Sequence, residues 1–275
     1  MCQTRNCYKT CINKEYLLSD ALLKHAQEIV SHLPIKANIG RHGIEFERGL
    51  NGIGYLLKTG IPWKALPRCF GSSSAVHRLF QKLRMLDFFK LLWHQELQNY
   101  DCIQGLRLEL QVGDCSHVKA PLGREKTGPS PVDRKKLGTK RSIIVDKNGI
   151  VIGCALGAGN RHDSVLFAAS IQSIPSCLKQ PKSKVMELDC AYDSKAVRVV
   201  LFNYYYVPKI TRNKRNSKKT LITSPPQEKR WIVESAHSWM NRFRRLLVRF
   251  EKRANNYIAL MQFAISIIVF NKLGI

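Results

Sequence analysis

Apolar residues recur at helical spacing through the first hundred positions and alternate with polar ones after them. Leu18, Ala21, Leu22, Ile29 and Leu33 predict a helix over 17–33. Residues 46–60 are helix-like and end on Gly60, and IPWKALPRCFG (61–71), with two prolines and a closing glycine, predicts a turn. Ser72, Ser73 and Ser74 then offer an N-cap. The helix they start has Ala75, Val76, Leu79, Phe80 and Leu83 on one face and His77, Arg78, Gln81, Lys82 and Arg84 on the other. FFKLLWHQELQ (88–98) closes this region. Helix, turn and capped basic amphipathic helix predict a helix-turn-helix-like DNA reader that presents His77, Arg78, Gln81 and Lys82. A plain packing module would show the same pattern.

After Asp101 the texture changes. Leu106, Leu108, Leu110 and Val112 share one parity and predict a strand over 106–114, with Asp114 at its end on that same parity. A Gly/Pro/Lys-rich loop (120–139) leads to a hairpin with arms Ser142–Val145 and Ile150–Leu156 and a turn at Asp146–Gly149. A helix (162–174), a strand (184–189, ending in Asp189), a helix (194–204) and a strand (205–210) follow. A basic loop (211–228) precedes one long helical region, 229–272, with Ile232, Ala236, Trp239, Phe243, Leu247 and Phe250 turned inward. This order predicts an α/β fold with one mixed sheet and helices packed on it. The expected domains are a helical DNA-binding region, 1–100, and an α/β region, 101–275.

Charge narrows the partners. The 275 residues carry 45 Lys+Arg against 20 Asp+Glu, a net charge of +25. Between Lys195 and Arg253, sixteen Lys/Arg face three acids, with aromatic residues interleaved in RWIVESAHSWMNRFRRLLVRFEKR. A second basic stretch runs from Lys119 to Lys147. Such a surface suits a phosphate polyanion and stacking on bases, so nucleic acid is the expected partner. The apolar run 257–270 is shorter than a span of about 20 residues and is broken by Gln262, which predicts a core helix and no membrane partner. No basic-then-apolar leader is seen, so the nine cysteines are expected to be reduced thiols of a cytoplasmic protein. Cys2, Cys7 and Cys11, with His25 beyond, match no common zinc spacing and are weighed as incidental thiols.

Acids beside a polyanion need a reason, and a bound divalent ion is the usual one. Two ions about 3.5–4 Å apart can activate an attacking oxygen and stabilise the leaving oxygen of a phosphodiester. Asp114 and Asp189 close strands, and Glu234 lies off the apolar stripe of the last helical region, beside His237, Ser238, Asn241 and Arg245. The plainer alternatives are that Asp114 caps a turn, Asp189 starts a loop and Glu234 pairs with Arg230.

At these residues the chain resembles bacterial transposases of the insertion-sequence-five family, within the DDE class. GIPWKALPRCFGSSSAVHRLFQKLR resembles the family's N-terminal DNA-binding signature, VGDCSHVKA its first-aspartate segment and MELDCAYDS its second-aspartate block. TGPSPVDRKKLGTKRSIIVDKNGIVIG and AGNRHDS are similar to intervening blocks, and RWIVESAHSWMNRFRRLLVRFEKR resembles the block with the catalytic glutamate. The resemblance implies an RNase H-like catalytic domain behind the helix-turn-helix-like one. It implies catalytic and metal-binding roles for Asp114, Asp189 and Glu234, with Mg²⁺ or Mn²⁺ as cofactor. The implied activity is that of a DNA transposase (endonuclease and strand transferase) that cuts insertion-sequence ends and joins them to target DNA. A homodimer or larger assembly on double-stranded DNA, in the cytoplasm with the nucleoid, goes with it. Lys119, Arg141, Arg230, Arg242 and Arg245 are the candidate phosphate contacts. Of the family's Y-(2)-R-(3)-E-(6)-K signature, Arg230 and Glu234 fit, while Gln227 holds the tyrosine position and Asn241 the lysine position; Cys190 stands where the second block often has lysine. A hydrolysis-only nuclease of the same fold and a decayed or repurposed DNA-binding protein are the alternatives.

Overall fold

The computed structural model describes residues 9, 11–34, 43–211 and 229–274. In chain order the elements are α1 (Asp20–Ser31), α2 (Phe46–Thr59), α3 (Ser73–Met85), α4 (Phe88–Ile103), β1 (Leu110–Lys119), β2 (Gly128–Pro129), β3 (Leu137–Asp146), β4 (Val151–Ala158), α5 (Asp163–Gln172), β5 (Lys184–Leu188), α6 (Lys195–Asn203), β6 (Tyr206–Ile210), α7 (Arg230–Asn241) and α8 (Ala254–Asn271). They form two compact units, one of Met1–Glu96, Asn241–Leu247 and Asn255–Ile275, the other of Leu97–Met240 and Val248–Ala254.

The first unit is helical. The Ser19 and Ser72 side chains accept hydrogen bonds from Leu22 N and Ala75 N, so α1 and α3 start on the capping residues their sequences offer. α2 stops at Gly60, whose backbone is left-handed (φ 77°). Leu50, Ile53, Leu57, Phe70, Phe80 and Phe263 are fully buried, and the rings of Phe89 and Phe263 sit 5.3 Å apart. α8 is long and apolar enough to cross a membrane by length and composition, yet 72% of it is buried inside the protein, as a core helix is.

The second unit is built on a mixed sheet. β1 pairs antiparallel with β3 and parallel with β5, β5 runs parallel to β6, and β4 and the short β2 pair with the other edge of β3. Three antiparallel strands followed by two parallel ones, the latter entered through α5 and α6, make the RNase H-like sheet that the resemblance implies. α5 covers one face, where Phe167 approaches Gly113 and meets Tyr192 edge-on, ring centroids 5.7 Å apart. α7 lies on the other, where His237 meets Arg141 and Asp114, and its Ile232 and Trp239 pack on the turn at Gly149.

Two expectations are corrected. The first sheet strand spans 110–119, not 106–114, so Asp114 stands inside it rather than at its end. Pairing with β3 continues from Gln111↔Asp146 to Lys119↔Gly138 and carries the polar run DCSHVK as strand. The single helical region 229–272 is broken into α7, a helical turn Arg244–Leu247, an extended segment and α8. Val248 bridges Lys119, and Arg249 N donates to the Lys119 carbonyl, so β1 draws this stretch out of the helix. In consequence Leu247 and Phe250 are exposed, not inward-facing.

Candidate active site

β1 and β5 set the site. Their parallel register runs through Val112↔Glu187, and continuing it two residues places Asp114 opposite Asp189. In a parallel pair such residues share a face, and neighbouring strands are about 4.8 Å apart. β5 ends at Leu188, so a cleft opens where it stops, lined by Val112, Gly113, Asp114, Glu187, Leu188, Asp189 and Arg230. Gly113 makes room for this junction, since a Cβ there would lie 2.8 Å from Leu188 Cδ2.

Burial raises the Asp114 pKa to about 6. The Cys115 amide and the Arg230 charge pull it back down, while Asp189 and Asp163 push it up. Asp189 accepts from Ala191 N at 2.9 Å and caps the helical turn Cys190–Tyr192. A desolvated carboxylate with a second carboxylate beside it is short of positive charge, so the donor set suits a hard divalent cation.

Glu234 does not line this cleft. Its side chain is 59% exposed and its Oε1 lies 3.3 Å from Arg230 Nε, one helical turn away on α7. Among the described residues no three His, Cys, Asp or Glu side chains are close enough to hold an ion together. Arg230 thus lines the cleft of the two aspartates, acts on the Asp114 charge and pairs with Glu234. The pairing of Glu234 with Arg230 is the plainer alternative named above.

The candidate phosphate contacts fall into different settings. Lys119 is 67% exposed and faces Asp133 at 3.8 Å. Arg230 and Arg242 are exposed. Arg141 is buried on β3, with Nη2 3.3 Å from Ser116 Oγ, and Arg245 is buried with Nη1 donating to the Ile61 carbonyl at 3.2 Å. On α3, Arg78 is exposed, His77 packs on Trp63 with ring centroids 4.8 Å apart, and Gln81 holds both His77 and Arg84. Of the cysteine cluster, Cys2 and Cys7 lie outside the described residues, as does Gln227, while His25 bonds Glu96 at 2.9 Å.

Two further residues shape the site. Glu187, 1% exposed, accepts from Lys229 N at 3.2 Å and pairs with Lys209 at 3.1 Å, fixing the chain at the start of α7 against β5. Its signal was a carboxylate within an otherwise apolar buried strand. Asp163 opens α5, pairs with Lys140 at 2.6 Å, and adds its charge to the field at Asp114.

Comparison with known proteins shows the family of the chain. The model of a transposase DDE domain matches residues 112–269, and that of a putative transposase of the IS4/5 family matches residues 18–93. A putative transposase for insertion sequence element IS402 of Burkholderia cepacia is 34% identical over 158 residues, covering 55% of this chain and 72% of that protein. Among solved structures, the catalytic domain of Mos1 mariner transposase is 12% identical with a TM-score of 0.28, covering 68% of this chain and 92% of that one. The Mos1 mariner paired-end complex with Mn is 13% identical with a TM-score of 0.29, covering 98% and 91%.

Proposed function

Because the chain belongs to the DDE transposases of the IS4/5 family, we propose that it cuts the ends of its insertion sequence and joins them to target DNA at the cleft between β1 and β5. The register apposition of Asp114 and Asp189 beside Arg230 carries this reading. The two aspartates would hold divalent metal, Mg²⁺ or Mn²⁺, and Glu234 would join them as third carboxylate only on leaving Arg230. Metal bound there supplies the charge that activates an attacking oxygen and stabilises a leaving one. Arg230 steadies the scissile phosphate, and Glu187 keeps α7 in place. Hydrolysis frees a 3′-hydroxyl. In the joining step that hydroxyl bonds to a target phosphorus as the target's own P–O bond breaks, so bond energy is conserved. The helical unit reads the ends through α3, with His77, Arg78, Gln81 and Lys82 toward a groove. Lys119 and Arg242 meet phosphate from the surface, whereas the buried Arg141 and Arg245 are out of its reach. Joining two ends calls for a homodimer or larger assembly on DNA.

Incubating the protein with labelled element-end DNA and Mg²⁺ tests the reading: wild type nicks at the terminus, while Asp114→Asn and Asp189→Asn bind but do not cut. The exposed, Arg230-paired Glu234 favours a second reading, a copy that binds ends without cutting. That reading holds if wild type binds ends but leaves them intact in both Mg²⁺ and Mn²⁺.

A further inference from the structure

Arg249 is fully buried in the sheet unit, in the segment that breaks the C-terminal helical region. Its guanidinium donates to five oxygens. Nε reaches the Glu251 carbonyl at 2.9 Å, Nη1 the Thr139 hydroxyl at 2.7 Å and the Lys126 carbonyl at 3.3 Å, and Nη2 the carbonyls of Glu125 at 2.7 Å and Lys252 at 3.4 Å. The amides of Arg124 and Glu125 also donate to the Lys252 carbonyl, at 3.2 and 3.3 Å. Two loops, 124–126 and 251–253, are thereby sewn to each other and to β3.

The charges these loops present do not help the chain fold. Arg124, Lys126, Lys252 and Arg253 are all exposed, and like charges on tethered loops repel. Lys126 is held at φ 50°, a left-handed backbone that costs a non-glycine residue free energy. Glu251 is buried, and Glu125, though exposed, has its carboxylate turned to Ala254 N at 2.9 Å, so four exposed cations stand against one exposed acid. What remains outward is a cationic surface with a fixed shape.

The Arg249 fan that holds both loops meets the face of the sheet that carries Asp114. Thr139 pairs with Val118 and Ile143 with Asp114, so Thr139 shares the face of Asp114. Four residues along β1 separate Val118 from Asp114, about 13 Å at ~3.3 Å per residue. Phosphates of one DNA strand repeat every ~3.4 Å along the helix axis, so the spacing corresponds to about four phosphates.

We propose that Arg124, Lys126, Lys252 and Arg253 form a backbone-gripping platform for duplex DNA a few phosphates from the cut, with Arg249 as the positioning residue that shapes it. The location relative to the cut rests on the reading of Asp114 and Asp189 given above; the grip on DNA does not. The test measures binding of short duplexes across a salt series without divalent ions. It compares K126Q/K252Q with K179Q/K182Q, a pair of exposed cations elsewhere on the same unit, so that net charge falls equally. Loss of two phosphate contacts makes the slope of log affinity against log salt shallower by about two. The first pair should show this on the element end and on an unrelated duplex alike, because phosphate contacts carry no sequence information; the second pair should barely shift it. R124Q/R253Q, a second platform pair, should behave like the first. Equal slopes for platform and control pairs, or a loss confined to one DNA sequence, overturns the proposal. Nicking by Asp114→Asn at the wild-type rate instead overturns the cleft reading and leaves the slopes untouched.

Discussion

His237 sits 7% exposed on α7, facing the sheet near Asp114, and burial followed by the Arg141 charge lowers its pKa to about 3. In the unfolded chain the ring titrates near ~6.5. Between those values the unfolded state binds the extra proton, so stability falls as pH drops through this window and is regained above it. By pH 4 the expected loss from this one group is about 3 kcal/mol relative to pH 7. Urea midpoints at the two pH values should therefore differ less for His237→Leu than for wild type; an unchanged acid limb would refute the assignment. Glu187 makes a second case. Removing its carboxylate strips the partner from Lys209 and the acceptor from Lys229 N. Glu187→Ala should cost roughly 2–3 kcal/mol in urea unfolding, the lower range for a pair with one side chain partly wet. Asp114 was readable because a carboxylate occupied an apolar strand position. Glu187 met the same criterion but stood one position from a run of apolar residues and two before Asp189, and its bonds depend on Lys209 and Lys229, which only the folded sheet brings near.

The helices of the first unit were legible because amphipathic spacing is a local signal; Ser72 caps α3 as expected, while α1 starts at the Ser19 cap, inside the expected 17–33. The break between α7 and α8 was not. No proline or glycine occurs from 242 to 253, and the cause is tertiary: Val248 bridges β1, and the buried Arg249 fan holds the chain extended. The over-run of β1 past Asp114 has the same origin, since pairing with β3 overrides a polar local sequence. Packing of α5 on β4 can be tested at Gly153. A Cβ there would lie 2.6 Å from the Ser170 carbonyl oxygen of α5, a backbone atom that cannot rotate away. Alanine normally suits a strand interior better than glycine, yet Gly153→Ala should destabilise by ~1–3 kcal/mol through overpacking. A thermal melt at or above wild type would show that α5 is free to shift. Because Asp163 opens α5 and its charge is felt at Asp114, the same variant should also slow cutting.

At the scale of the whole molecule the surplus of +25 charges acts twice. Free copies repel one another, which opposes association in the absence of DNA. On the proposed function, a duplex would neutralise those charges and release its counterions, so the same surplus would drive binding to DNA and remove the barrier between copies. Each chain has one Asp114/Asp189 cleft, while joining a mobile element to its target consumes two 3′-hydroxyls, one from each end. Assembly should therefore depend on DNA. Mass photometry at low ionic strength should find single copies without DNA, and complexes with at least two copies once end DNA is added. Raising salt should dissolve those complexes rather than strengthen them, because the lost phosphate contacts outweigh the screened repulsion between chains. A complex holding a single copy that still joins both ends would refute this arrangement, and stable multimers without DNA would show that an apolar interface, not the nucleic acid, holds the copies together.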